Sequence, residues 1–229
     1  MYMQRTKLVL CDNFPFTNKK LLEEKQLTPD TFEATKLLEQ QIKAVGGIFV
    51  LNTCFRSWAK QQSLVDLHKK DSVKNAFAAP PGGSYHQAGR SLDVNIKTLN
   101  FPGVVKEKWL EKLWAIALPL GFRPIINSPD MNESEAWHFD FLGPWKAVRD
   151  KVGNVEAAKC AILDVGNWNP NETPQKIRNM FIQAQLLRLG HYEIGKVDGS
   201  IGPKSLKAIK DLGIVESDLD KVAQWLIKK

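Results

Sequence analysis

The sequence has no long hydrophobic run. No segment approaches the roughly 20 consecutive apolar residues that a helix needs to cross a bilayer. The N-terminal apolar stretch at 8–11 is also much shorter than the roughly 7–15 residues of a signal-peptide core. We therefore expect a protein that is made and folded in the cytoplasm and that has no membrane partner.

Cysteine is scarce as well, and the sequence contains neither a low-complexity tract nor an internal repeat. The three cysteines, Cys11, Cys54 and Cys160, are widely spaced and odd in number. This spacing argues against a disulfide framework and against a CxxC metal site, and it fits a reducing compartment. Only four histidines occur among 229 residues, so a metal site that uses imidazole must draw on very few positions.

The formal net charge is +7, but the basic residues are spread along the chain and form no arginine-rich block. A positive surface attracts anionic polymers. Nucleic acid and an anionic polymer of the bacterial cell wall are both candidate partners. A soluble basic surface without a polymeric partner is the third interpretation, and charge alone does not choose among them.

Helical periodicity alternates with short β-rich runs over the first 150 residues. The pattern predicts helices at 31–45, 58–68 and 106–118, and strands at 48–51, 91–96 and 137–141. After an Asn- and Pro-rich stretch, it predicts further helices at 174–189, 204–212 and 217–227. We therefore expect an α+β domain over 1–150, a linker over 151–171 and a small helical domain over 172–229.

Two segments together suggest a metal site. GSYHQAGRSLDV places His86 in a glycine-flanked loop, seven residues before Asp93 on a predicted strand. EAWHFDF places His138 on the polar side of a second predicted strand. Catalytic zinc usually takes three protein ligands and keeps one position for water. The three residues therefore predict one Zn²⁺ per chain.

Glu135 and Arg56 are the candidates for the chemistry around that ion. Glu135 precedes His138 by three residues, so the two cannot share a face of a regular strand. We expect Glu135 on a turn or bulge before the strand, where it would accept a proton from an activated water. Arg56 follows a predicted buried strand and would stabilise an anionic intermediate. Simpler interpretations exist for each position: a turn histidine at His86, a solvated carboxylate at Asp93, a hydrogen-bonded core histidine at His138 and an ion pair at Arg56.

Three segments resemble, in order, the motifs of the VanY-type D-alanyl-D-alanine carboxypeptidases. SYHQAGRSLDV is similar to Ser-x-His-x-x-Gly-x-Ala-x-Asp, EAWHFDF to Glu-x-x-His, and FRSWAKQQSL to Tyr-Arg-Ser…Gln. The resemblance covers about residues 28–145. It implies a zinc peptidase of the hedgehog/DD-peptidase fold, built around a small antiparallel sheet.

By motif position the resemblance also implies roles for six residues. They are the zinc ligands His86, Asp93 and His138, the catalytic base Glu135, the substrate- or oxyanion-binding Arg56, and Ser84 near the substrate. The chain departs from the motifs in two places, with Ser91 where they have alanine and Phe55 where they have tyrosine. Neither departure removes a metal ligand, so substrate preference is left more open than catalysis.

The C-terminal segment IQAQLLRLGHYEIGKVDGSIGPKSLKAI resembles the small helical peptidoglycan-binding domain of many wall hydrolases. The Phe-Gln that usually closes this motif is replaced by Leu212 and Gly213. The resemblance implies a three-helix peptidoglycan-binding domain. A C-terminal helical bundle without a ligand is the alternative.

Together the two resemblances imply a monomeric peptidoglycan hydrolase that reaches the bacterial cell wall after release from the cytoplasm, as phage endolysins do. We expect an endopeptidase that cuts L-Ala–D-Glu or a D-Ala cross-link in the stem peptide. The first alternative is a D-alanyl-D-alanine carboxypeptidase. The second is a catalytically silent wall-binding protein. A nucleic-acid-binding protein is the third, and salt-dependent DNA binding would support it.

Overall fold

The computed structural model describes residues 3–17, 22–75 and 77–229, and these residues form two compact units. The first unit consists of Met1–Lys7, Ser57–Ala88 and Pro144–Lys229. The second unit consists of Leu8–Arg56 and Gly89–Gly143. No helix within the described ranges is long and apolar enough to cross a membrane.

The strands are short and belong to the second unit, whereas both units contain α-helices. The strands are β1 Val9–Leu10, β2 Gln26–Leu27, β3 Leu51–Thr53, β4 Ser91–Val94, β5 Phe122–Pro124 and β6 His138–Phe141. The α-helices are α1 Pro29–Ala44, α2 Trp58–Lys70, α3 Trp109–Ala117, α4 Lys146–Val152, α5 Asn154–Asp164, α6 Pro174–Arg188, α7 Pro203–Asp211 and α8 Leu219–Ile227.

The second unit contains a four-stranded antiparallel sheet in the order β3–β4–β6–β5, and a separate two-stranded pair of β1 and β2. This mixture of helices and a small antiparallel sheet confirms the predicted α+β class. The two central strands, β4 and β6, are neighbours although 43 residues lie between Val94, the last residue of β4, and His138, the first residue of β6.

A hydrophobic core fills the second unit. Helix α1 contributes Leu38 and Ile42, and helix α3 contributes Leu113. Strands β4 and β6 contribute Leu92 and Phe139 from the other side, and all five side chains are fully buried. Each buried side chain of this size contributes roughly 1.5–3 kcal/mol to folding. This packing fixes which face of the sheet is apolar and leaves the opposite face for polar residues.

The first unit is helical. Helices α6, α7 and α8 share an apolar cluster that includes Phe181, Ile209 and Leu226. Helix α6 begins as the Thr-Pro sequence predicts, because the Thr173 hydroxyl accepts a hydrogen bond from the Lys176 amide. All three helices lie close to their predicted positions.

The structure differs from the prediction of a linker over 151–171. Residues 154–164 form helix α5, and most of its side chains are buried. The Asp164 carboxylate at its end is fully buried and accepts hydrogen bonds from Arg5 and Gln185 at 2.8 and 2.9 Å. The small side chains of this segment, Ala157 among them, give no clear amphipathic period, although they suit a helix that is buried on most sides.

Two strand predictions also need correction. The strand predicted at 48–51 lies at Leu51–Thr53, because pairing of Leu51 with Val94 determines where β3 begins. The strand predicted at 91–96 ends at Val94, and all four of its residues, Ser91–Val94, are buried. Its polar face is covered because the Asp93 carboxylate forms hydrogen bonds with the side chains of Arg56 and His138.

Candidate metal centre

The register of β4 and β6 brings four polar side chains onto one face of the sheet. Asp93 lies opposite His138, and Ser91 lies opposite Asp140. Side chains two residues apart on a strand point to the same side, so all four share one face. The intervening Leu92 belongs to the hydrophobic core.

His86, Asp93 and His138, the three residues predicted as zinc ligands, are brought together by the structure. Each offers one donor atom, these atoms all lie within 4.8 Å of one another, and all three residues are buried. Zinc binds imidazole nitrogen and carboxylate oxygen at about 2.0–2.2 Å in a tetrahedral arrangement. This geometry requires donor atoms roughly 3.4 Å apart, so side-chain movements on the order of an ångström would suffice. The donor set therefore fits the metal.

His138 is held by two carboxylates. Its Nδ1 lies 3.1 Å from Asp93 Oδ1, and its Nε2 lies 2.8 Å from Asp140 Oδ1. Burial alone would lower the pKa of His138, but the two carboxylates outweigh burial and raise the pKa to about 10. The same negative surroundings favour a divalent cation beside the ring.

Glu135 lies in the turn that precedes β6, as the sequence predicts. Its φ of 67° is in the left-handed region, which non-glycine residues adopt rarely. Its carbonyl accepts a hydrogen bond from the His138 amide at 2.9 Å, which ties the turn to the first residue of the strand. Burial raises the pKa of the Glu135 carboxyl, and Asp93 raises it further, while His138 and Arg56 act in the opposite direction. A carboxylate with a raised pKa suits a general base.

Arg56 contacts one of the candidate ligands directly. Its Nη2 donates a hydrogen bond to Asp93 Oδ2 at 2.8 Å, and its side chain is 20% exposed. The two oxygens of Asp93 are thus divided, since Oδ1 faces His138 and Oδ2 faces Arg56. The structure shows the ion pair of the simpler interpretation, and the pair is formed with a candidate metal ligand. A contact of Arg56 with substrate stays a prediction.

The loop that carries His86 is braced within the first unit. Ser84 is buried and its carbonyl accepts a hydrogen bond from the Gln87 amide at 3.0 Å. The Asn167 side chain donates to the Gln87 carbonyl at 2.8 Å and accepts from the Trp58 amide at 3.0 Å. Sequence reasoning assigned Asn167 to a linker and missed this bracing. Contact of Ser84 with substrate stays a prediction.

Sequence reasoning also missed two residues beside His138. Asp140 accepts a hydrogen bond from the Ser91 hydroxyl at 2.6 Å in addition to its contact with the imidazole. The alternation in HFDF placed Asp140 on the same face as His138. No signal within either segment indicated that Ser91 would lie opposite Asp140.

A cleft of about 830 Å³ lies in the second unit. Its polar and aromatic lining includes Asn52, Asn95, Lys97, Lys106, Asp130 and Trp137. Trp137 directly precedes His138, and Val94 and Asn95 directly follow Asp93. The cleft therefore begins next to the strand residues of the candidate metal centre.

Comparison with known proteins gives one family match. The family model described as VanY, D-alanyl-D-alanine carboxypeptidase, matches residues 24–144, just over half of the 229-residue chain. The solved structure of the LdcB LD-carboxypeptidase, reported for its peptidoglycan recognition, is similar with 20% sequence identity and a TM-score of 0.45. That similarity covers 72% of this chain and 77% of the LdcB chain. No curated protein sequence matches the chain.

Proposed function

The chain belongs to the VanY family of D-alanyl-D-alanine carboxypeptidases, and from this premise we propose that it is a zinc-dependent peptidase. Membership of the family makes it a peptidase that acts on peptidoglycan. The observation that supports zinc is the group formed by His86, Asp93 and His138, whose donor atoms lie within 4.8 Å of one another. Elemental analysis of protein purified without added metal tests this, and we expect one zinc per chain.

The surrounding residues suit hydrolysis of a peptide bond. Zinc held by His86, Asp93 and His138 would supply an acidified water and a polarised carbonyl group. Glu135, with its raised pKa, would accept the proton of the water at its carboxylate and return it to the leaving amine. Arg56 lies next to Asp93 and would place positive charge beside an oxygen that becomes negative.

We propose endopeptidase activity as the specific reaction, with L-Ala–D-Glu or a D-Ala cross-link as the bond that is cut. The supporting observation is the cleft of about 830 Å³ beside the centre. Ligand sites in proteins occupy about 300–1,000 Å³, so this volume suits a longer stretch of stem peptide than a terminal dipeptide.

The family's description supports D-alanyl-D-alanine carboxypeptidase activity as the second candidate. Digestion of purified peptidoglycan, followed by mass analysis of the products, separates the two reactions. An endopeptidase creates new internal peptide ends. A carboxypeptidase releases single D-alanine and leaves the cross-links intact, and that result would overturn the endopeptidase proposal.

We further propose that α6–α8 form a wall-binding module. The shared apolar cluster of these helices supports this, as does the ordered loop after α6. The Gln183 side-chain oxygen accepts hydrogen bonds from the amides of Asp198 and Gly199 at 3.1 and 2.8 Å. Gln183→Met removes these bonds at similar volume and leaves the two loop amides without their acceptor, so we expect weaker co-sedimentation with purified sacculi in a variant that thermal melting still shows to be folded. Unchanged co-sedimentation would remove the loop from wall binding. Synthesis in the cytoplasm and release to the wall stay predictions.

A further inference from the structure

We propose that Asp140, oriented by Ser91, is a positioning residue that fixes the imidazole of His138 and reserves its Nδ1 for the metal. The inference rests on the proposed zinc site and adds to it two residues outside the ligand set. It assigns a role to the four-residue polar face of β4 and β6, of which the proposed function uses only Asp93 and His138.

The first argument concerns the two nitrogens of the ring. His138 Nδ1 faces Asp93, which belongs to the same candidate ligand group, at 3.1 Å. Nε2 faces Asp140, which lies outside that group, at 2.8 Å. The nitrogen on the side of the other ligands is the one that can reach a shared ion, so Nδ1 is the metal-facing atom.

The second argument concerns the proton on the ring. A metal-binding imidazole is neutral and carries one N–H, on the nitrogen that the metal does not use. The carboxylate Oδ1 of Asp140, 2.8 Å from Nε2, is an acceptor for that N–H. Metal-bound histidines commonly donate their second N–H to a carboxylate in this way, which sets the tautomer and raises the basicity of the ligating nitrogen.

The third argument concerns orientation. A half turn of the His138 ring about its Cβ–Cγ bond would exchange Nδ1 with a carbon atom and remove the metal-facing nitrogen. The hydrogen bond between Nε2 and Asp140 opposes this turn. Asp140 is itself fixed, because the fully buried Ser91 hydroxyl donates to the same Oδ1 at 2.6 Å. A buried hydroxyl requires a partner, and Asp140 is the one that the strand register supplies.

Ser91 is a departure of this chain from the motif it resembles, which has alanine at that position. Alanine has no hydroxyl and would leave Asp140 without this donor. The chain therefore has a hydrogen-bonded series, from Ser91 through Asp140 to His138, that runs across the two paired strands. The substitution Ser91→Ala is the mildest test of it.

The experiment measures zinc affinity by competition with a chromophoric chelator in the full-length protein. We expect Asp140→Asn to weaken zinc binding by on the order of 10-fold and Ser91→Ala to weaken it by a smaller factor. Asp150→Asn makes the same charge change on an exposed side chain of α4 and should leave the affinity unchanged. Thermal melting of each variant shows that the fold is retained.

A second readout reports the tautomer. Nitrogen-15 NMR of the zinc-loaded wild-type protein should show His138 protonated at Nε2. Wild-type zinc affinity in both Asp140→Asn and Ser91→Ala, or a His138 protonated at Nδ1, would overturn the positioning role while the zinc site stands. A wild-type protein that binds no zinc would overturn the zinc-dependent function together with this inference.

Discussion

Replacing Arg56 by lysine tests whether the guanidinium does more than supply a positive charge. Arg56 Nη2 donates to Asp93 Oδ2 at 2.8 Å from a side chain that is 20% exposed. Lysine keeps the charge but is a point donor on a flexible stem, whereas the planar guanidinium holds an oxygen in a defined direction. The substitution should therefore disturb both Asp93 and any substrate oxygen that Arg56 contacts.

The size of the first effect follows from the hydrogen bond between Arg56 and Asp93. A hydrogen bond to a charged group contributes about 1.5–3 kcal/mol. Because lysine retains the charge, the lower end applies, and about 1.5 kcal/mol corresponds to roughly a tenfold loss of zinc affinity through Asp93. For the second effect, loss of a donor that acts in the transition state lowers kcat by about 10²-fold or more. We expect both effects, the second in enzyme saturated with zinc.

The assay measures zinc affinity, kcat and KM on stem peptides with free and with amidated C-termini. Arg149→Lys, on the partly exposed surface of α4, is the matched control. A rise in KM confined to peptides with a free carboxylate would show that Arg56 clamps that carboxylate, and would favour the carboxypeptidase. Wild-type kinetics in the zinc-saturated variant would refute the assignment of Arg56 to the reaction.

Of the four further predictions, two concern the candidate metal centre and two concern the ion pair between Asp30 and Arg90. Glu135→Ala should keep zinc and the fold but lower turnover by about 10²–10⁴-fold, and loss of zinc as well would show that Glu135 is a ligand. Removal of the metal with a chelator should abolish peptidoglycan cleavage and added zinc should restore it; full activity without metal would refute the zinc proposal. Burial would raise the pKa of Asp30, but the Arg90 guanidinium and three hydrogen bonds outweigh burial and lower that pKa. Ionised Asp30 therefore stabilises the fold above its unfolded pKa of about 3.9, and this stabilisation is lost as the pH falls below that value. The difference in melting temperature between wild type and Asp30→Asn should accordingly narrow from pH 7 to pH 3, and a constant difference would contradict the shift. Gly143→Ala should lower the melting temperature much more than Gly103→Ala, although both glycines have positive φ. A Cβ at Gly143 would lie 2.6 Å from both Arg90 Nη1 and Asp30 Oδ2, whereas a Cβ at Gly103 would meet nothing within 4 Å. Equal losses would show that backbone strain alone sets the cost of each substitution.

The elements that the sequence predicts well are those whose signal is local. Helix α1 shows apolar residues at helical spacing and ends before Gly46-Gly47, and α6 begins with a Thr-Pro cap. Strands β4 and β6 show alternation over several residues. The short strand β5 was not predicted, because three residues, one of them proline, carry too little periodicity. Its existence depends on pairing with β6.

The residues of the candidate site also differ in whether a local sequence signal predicts them. His86, Asp93 and His138 could be proposed from residue types and order, and the turn at Glu135 from the alternation of side chains along a strand. The contact between Ser91 and Asp140 could not, because it depends on which residue of β4 faces which residue of β6. The hydrogen bond from Arg56 to Asp93 likewise joins segments whose separation in space is set by tertiary packing.

The contrast between the paired strands and the cleft bears on how such an enzyme can change over time. Asp93 and His138 belong to strands whose slippage by one residue would turn both side chains toward the core. The pairing of the two strands therefore restricts changes at both positions together. The cleft instead includes Lys97, Lys106 and Asp130, which are exposed and lie outside the strands. Substitutions there alter the shape and charge offered to a peptide at little cost to folding. We therefore expect substitutions in the cleft to change which bond is cut while the residues on the paired strands stay the same.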